Sequence, residues 1–153
     1  MTSTLLALML AALAPAILAA PKTKLTLSGF NGNFGNVQLA DFDQGYITSA
    51  SGITYTVSQV GTNTTARTTS IYIRANAATM SGGKSTSNCS WRRDDLATWT
   101  PLTTTDAFVE AQPIQTSGQS WSNTLWVRCT LDWASDPPAA NSVAFTISLQ
   151  VTP

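Results

Sequence analysis

An antiparallel β-sandwich is the fold that this chain of 153 residues predicts, and three observations carry it. Residues 124–133 alternate strictly, with Leu125, Val127, Cys129, Leu131 and Trp133 on one parity and Trp126, Arg128, Thr130 and Asp132 on the other. That is the period-2 pattern of a strand with one buried face, and it marks this stretch as the central core strand. The closing stretch repeats it with Val143, Phe145, Ile147, Leu149 and Val151. Elsewhere, short apolar alternations are separated by turn signals at close spacing, and no amphipathic helix of ordinary length appears after the first twenty residues. A small β-barrel is the alternative closure of the same strands.

Taken in order, residues 1–20 read as a secretory signal. Residues 5–13 form an apolar run of h-region length, followed by Pro15 and by small residues at Ala19 and Ala20. Cleavage after Ala19 or after Ala20 both remain open, Pro21 weighing against the second. The run is shorter than the ~20 residues of a spanning helix, so the mature chain, residues 21–153, is expected to be one exported β domain with no membrane span. Its first strand covers residues 24–28, and a turn region rich in Gly and Asn follows at 28–36. Val37, Gln38 and Leu39 begin a further strand. Residues 52–58 alternate cleanly, a polar hairpin turn occupies 61–65, and 69–75 form the next strand. Gly82 and Gly83 mark a loop. Cys89 and Trp91 share one side of a short strand at 88–92. Residues 94–99 form one helical turn or an irregular loop, and Phe108, Val109 and Ile114 supply core contacts from short strands. Pro137 and Pro138 stiffen the loop before the terminal strand.

Composition excludes several functions. Eight basic and eight acidic residues make up only 10% of the chain, with a net charge of zero. No basic cluster exists for nucleic acid or for an anionic membrane surface. Histidine is absent altogether, which removes Ser-His and Cys-His nucleophile pairs and His metal ligation. No G-x-S-x-G or S-x-x-K motif and no cofactor motif is present. The expectation is a chain without catalytic residues, cofactor or metal. Two-carboxylate glycoside hydrolysis is the one enzyme class left open, with Asp94 and Glu110 as its carboxylates.

Five groups of residues remain as site candidates. Cys89 and Cys129 are the only cysteines, and an even pair in an exported chain is expected to form a disulfide. Of the five tryptophans, parity places Trp91 and Trp133 in the core beside that disulfide. Trp126 lies on the opposite face and Trp121 falls in a Ser/Gly-rich loop, so these two are the possible ligand-contact aromatics, suited to stacking on a glycan. Asp41 with Asp43, and Asp94 with Asp95, read as turn carboxylates rather than as a calcium loop. Arg92, Arg93, Asp94 and Asp95 read as a surface charge cluster of little energetic weight. Asn63 and Asn88 begin N-x-[ST] tripeptides, which matter only in a host that glycosylates them.

With an export signal, Tyr55-Thr56-Val57, Cys89-Ser90-Trp91-Arg92, residues 128–133, the Asp136-Pro137-Pro138 turn and the terminal strand in this order, the chain resembles small exported β-sandwich proteins of bacterial cell surfaces, pilin-like and spore-coat-like subunits among them. The resemblance implies a structural, coat or adhesin role at the cell surface without catalysis. Its expected partner is itself or another envelope protein, with a glycan as the alternative ligand. The terminal strand, poor in charge, is the element expected to template another chain if it lies at a sheet edge.

Overall fold

The computed structural model describes residues 22–61, 66–114, 118–136 and 142–152. The expected signal, residues 1–20, lies outside the described residues. The elements in chain order are β1 (Lys22–Gly29), α1 (Leu39–Gln44), β2 (Tyr46–Thr48), β3 (Ile53–Val60), β4 (Arg67–Ala75), a 3₁₀ turn (Thr86–Asn88), β5 (Cys89–Arg93), β6 (Thr100–Pro101), β7 (Ala107–Ile114), β8 (Ser120–Thr130) and β9 (Phe145–Thr152).

Among the described residues these strands form two antiparallel sheets. The larger has the order β1-β3-β8-β5-β6, with β2 also paired to β8; the smaller is β7-β4-β9. Neither closes on itself, so the barrel alternative is not what forms. The apolar parities of both sheets meet in one core. Ile53, Tyr55 and Val57 come from β3, Leu125 and Val127 from β8, Ile71 and Ile73 from β4, and Ile147 from β9. Burying each aliphatic side chain of this size contributes roughly 2 kcal/mol.

The long alternation ending at Cys129 does make β8 the central strand, flanked by β3 and β5. Its period stops at Thr130, short of Trp133. The Asp132 carboxylate there accepts the Ala134 N–H at 3.0 Å and the Ser135 hydroxyl at 3.0 Å, while Asp136 Oδ2 accepts the Asp132 N–H at 2.7 Å. This side-chain-closed turn competes with the ladder. Backbone donation from Ala134, then the Ser135 hydroxyl, holds the Asp132 carboxyl below the usual carboxylate range. Trp133 is therefore 58% exposed rather than in the core. It stacks on Phe42 of α1 at 4.6 Å between ring centroids.

Three further expectations are corrected. Residues 37–39 do not begin a strand. Gln38 instead precedes α1, its N–H held by Asp41 Oδ2 at 2.7 Å, and Gly45 (φ 77°) closes the helix. Asp41 is thus a helix cap. Nor does the turn after β3 make a hairpin: β3 pairs with β1 and β8, whereas β4 pairs with β7 and β9, so the chain crosses between sheets there. Phe108 is 56% exposed and meets Tyr72 edge-on at 5.8 Å. The cause is a bulge. The β4–β7 register passes from Ile71↔Glu110 to Tyr72↔Phe108, leaving Val109 unpaired and turning both Val109 and Glu110 inward. Two glycines are forced: Gly29 has φ 98° and Gly32 φ 95°, and a Cβ would lie 2.0 Å from the Gly52 carbonyl oxygen at the first and 2.2 Å from that of Val143 at the second.

Candidate functional site

The disulfide is present as expected. Cys89 of β5 and Cys129 of β8 are direct cross-strand neighbours, their Cα atoms 3.9 Å apart, and both are buried. It therefore links two strands of one sheet rather than one sheet to the other. Met80 Sδ packs 3.6 Å from Cys89 Sγ. Such a bond is the state that cysteines take in an oxidising compartment. No helix among the described residues is long and apolar enough to cross a membrane.

The two sheets are tied by a buried polar cluster that alternation alone did not reveal. The bulge in β7 aims Glu110 into the layer between the sheets, where its side chain is 6% exposed. Arg93 of β5 reaches it from the other sheet, Nη1 to Oε2 at 3.0 Å. The Tyr55 hydroxyl of β3 donates to Glu110 Oε1, and Asn123 Nδ2 of β8 lies 3.5 Å from Oε2. At the rim, Arg93 also forks onto Asp95, through Nε at 2.8 Å and Nη2 at 2.5 Å. That bond draws the Asp95 carboxyl below its ordinary range and, more than burial opposes it, raises Arg93 above the usual arginine value. Arg93 is thus a bridge between sheets, not one member of a surface charge cluster.

Burial, then the hydrogen bond to Glu110 and the charge on that carboxylate, push the Tyr55 phenol above the ordinary tyrosine range. Its folded-state value lies above the unfolded value, so its contribution to stability is complete below about pH 10 and is lost as pH rises beyond it. We expect the unfolding midpoint in urea to fall between about pH 9.5 and pH 11, and to fall less steeply in Tyr55→Phe. Equal slopes in the two proteins would contradict this.

The two aromatics singled out for ligand contact have different fates. Trp121 is not in a loop but within β8, on the inward parity. Its indole N–H donates to Thr69 Oγ1 of the other sheet at 3.0 Å, and its ring meets Tyr55 edge-on at 5.9 Å. It is a half-buried packing residue. Trp126 does lie on the outer face, half-buried, its indole N–H donating to Asp94 Oδ1 at 2.8 Å. Trp91 is in the core as expected, 5% exposed.

Around Trp126 the outer face of the larger sheet gathers residues from four segments. Arg92 is its cross-strand partner on β5, and Arg128 follows on β8 beside Ser90 and Thr48. The Arg128 guanidinium carbon sits 4.3 Å from the Trp99 ring centroid and 5.2 Å from that of Tyr46; that of Arg92 sits 5.2 Å from Trp99. The result is a row of rings and cations across the sheet. No sequence motif flags it, because its members are neighbours only through strand pairing.

The carboxylates kept open for glycoside hydrolysis are all engaged. Asp94 holds Trp126, Asp95 holds Arg93, and Glu110 is buried beneath both. Asp136 is paired with Lys84. Among the described residues no group of three or more His, Cys, Asp or Glu side chains gathers as a metal would need.

The remaining feature is the edge of the smaller sheet. Among the described residues β9 pairs with β4 alone. Asn76 N–H donates to Ala144 O at 2.8 Å, immediately before an unbroken register running from Ala75↔Phe145 to Thr68↔Thr152. Antiparallel alternation then aims the backbone groups of Thr146, Ser148 and Gln150 at β4, and those of Ile147, Leu149 and Val151 outward. Beside its start, Leu27, Phe30, Ile53 and Phe145 line an apolar groove of about 290 Å³, where Leu27 is 45% exposed. No protein-family model, curated protein or solved structure matches this chain.

Proposed function

We propose that this is a non-catalytic exported protein with a β-sandwich domain of pilin-like or immunoglobulin-like kind. It serves as a structural or adhesin-like subunit of a cell surface and works by adding a strand of a second copy to β9. One observation carries the reading: of the five edge strands among the described residues, β1, β2, β6, β7 and β9, β9 alone lacks a device that discourages pairing, β2 being only three residues long. β6 is two residues long and contains Pro101; β7 contains Pro113 and the bulge; β1 carries Lys22 and Lys24. Short edges, proline, bulges and lysines are the means by which proteins blunt strand edges. β9 runs eight residues, Phe-Thr-Ile-Ser-Leu-Gln-Val-Thr, with no charge, no proline and no register shift.

A second copy related by a two-fold axis would bring β9 antiparallel to β9, each strand supplying the same outward N–H and C=O groups. The apolar groove beside Phe145 adds a surface for side chains of the incoming chain. A net charge of zero does little to oppose association. Export is supported by the disulfide and by the apolar N-terminal stretch. The absence of histidine and the full engagement of Asp94, Asp95 and Glu110 support a non-catalytic role.

The test is Ser148→Lys/Gln150→Lys, which places two cations on the solvent side of β9 at a cost to the fold within about 0.5 kcal/mol each. Sedimentation velocity of the mature protein is expected to show an associated species that the variant loses while keeping the same circular dichroism. An unchanged association state in the variant, or a monomeric mature protein at every concentration, would refute the proposal.

A further inference from the structure

We infer that the outer face bearing Tyr46, Arg92, Trp99, Trp126 and Arg128 is a binding platform for an acidic polysaccharide, with uronate carboxylates held by the two arginines. The inference is independent of the β9 edge, which belongs to the other sheet.

Charge complementarity carries it. Arg128 stacks its guanidinium on Trp99 and Tyr46, at 4.3 and 5.2 Å from the ring centroids, and has no carboxylate partner among the described residues. Stacking uses the face of a guanidinium and leaves its in-plane N–H fork free, and that fork matches a carboxylate bidentately. Arg92 rests on the same Trp99 ring and spends one donor on the Leu96 carbonyl at 2.8 Å. Two cations thus share one indole, and neither forms an ion pair among the described residues; the Asp94 carboxylate of this face bonds the Trp126 indole instead. Like charges so placed repel, and an anionic ligand lying across Trp99 would neutralise both. The aromatic contacts also hold both side chains in place, so less rotamer freedom remains to be lost on binding.

The rings decide what kind of anion fits. Trp126 is the cross-strand neighbour of Arg92, and Tyr46 lies on the far side of Arg128, on β2. Rings therefore alternate with cations across the sheet. Guanidiniums lie over the Trp99 and Tyr46 rings, so a pyranose ring would stack on half-buried Trp126, beside the forks that take its carboxylates, whereas an acidic peptide would use the forks alone. Trp126 is fixed in this row by Asp94, whose carboxylate is occupied by the indole N–H. Thr48 and Ser90 flank Arg128 in the register and supply hydroxyls at the margin.

The experiment titrates the full mature protein with polygalacturonate, following tryptophan fluorescence, with dextran and polyglutamate as comparison ligands. We expect saturable binding to polygalacturonate that weakens steeply as salt rises, and binding at least tenfold weaker for dextran and polyglutamate. Arg92→Gln/Arg128→Gln should weaken polygalacturonate binding at least tenfold with an unchanged thermal midpoint. Lys22→Gln/Lys24→Gln, which removes the same charge from β1, should leave it unchanged. No binding of polygalacturonate would overturn the inference, as would dextran bound equally well. Polyglutamate bound equally well would show a general polyanion or acidic-protein surface and overturn the saccharide assignment. Equal loss in the lysine variant would show unlocalised charge and do the same.

Discussion

Cys89→Ala/Cys129→Ala is expected to lower the unfolding free energy by about 4 kcal/mol, close to a third or more of what holds a domain of this size together. The cysteines are 40 residues apart, so the bond closes a long loop and removes much freedom from the unfolded chain. They are also register partners on β5 and the central strand β8. A cross-link at that point pins the pairing that sets Trp91 against Val127 and Arg92 against Trp126. Both sulfurs lie in the core beside Met80, so alanines add a small packing loss. Chemical denaturation of the two oxidised and cysteine-free proteins measures the difference. A loss below about 1 kcal/mol would mean that the β5–β8 register is held without the bond.

Arg93→Ala should cost about 3 kcal/mol. The mechanism is the charge that it leaves behind: Glu110 stays in the layer between the sheets, with Tyr55 and Asn123 as its remaining partners. Those two bonds place the cost at the low end of the range for breaking a buried pair. The fork onto exposed Asp95 adds little. Glu110→Gln introduced into the Arg93→Ala protein should recover stability, because the neutral amide removes the unpaired charge. Further destabilisation by that second change would show that Arg93 acts through its packing and not as a counter-ion.

Where a strand has one buried face, the order of residues was enough to find it. Ile53, Tyr55 and Val57 alternate with threonines and serine, and the structure buries the first three completely or nearly so. The same rule identified β8 and β9. It overran at Trp133, since parity says nothing about where a strand stops; the stop comes from Asp132 and Asp136 bonding back to the turn. It fell short at Trp121, because Ser120, Ser122 and Gly118 gave that segment the look of a loop although its parity already matched Leu125. Gln38 with Asp41 three residues on carried a helix-start signal that the flanking valine and leucine obscured.

The sites were less legible, for a geometric reason. Glu110 turns inward only because β7 bulges at Val109, and its partner Arg93 is seventeen positions away on the other sheet. The row from Tyr46 through Arg128 and Trp99 to Arg92 depends on which strands are adjacent, and β2, β5 and β8 are widely separated in the chain. Of its aromatics, Trp126 alone was visible as an outward residue, from its parity. The edge position of β9 depends equally on strand order, which alternation does not encode.

Strand addition at β9 makes its most direct statement about three backbone amides. Hydrogen exchange of Ile147, Leu149 and Val151, which point away from β4, should be fast in dilute protein and become protected as concentration rises. The amides of Thr146, Ser148 and Gln150, already bonded to β4, should stay protected throughout. Exchange of the outward three that remains fast at every concentration, while the protein associates, would place the contact elsewhere and contradict the account.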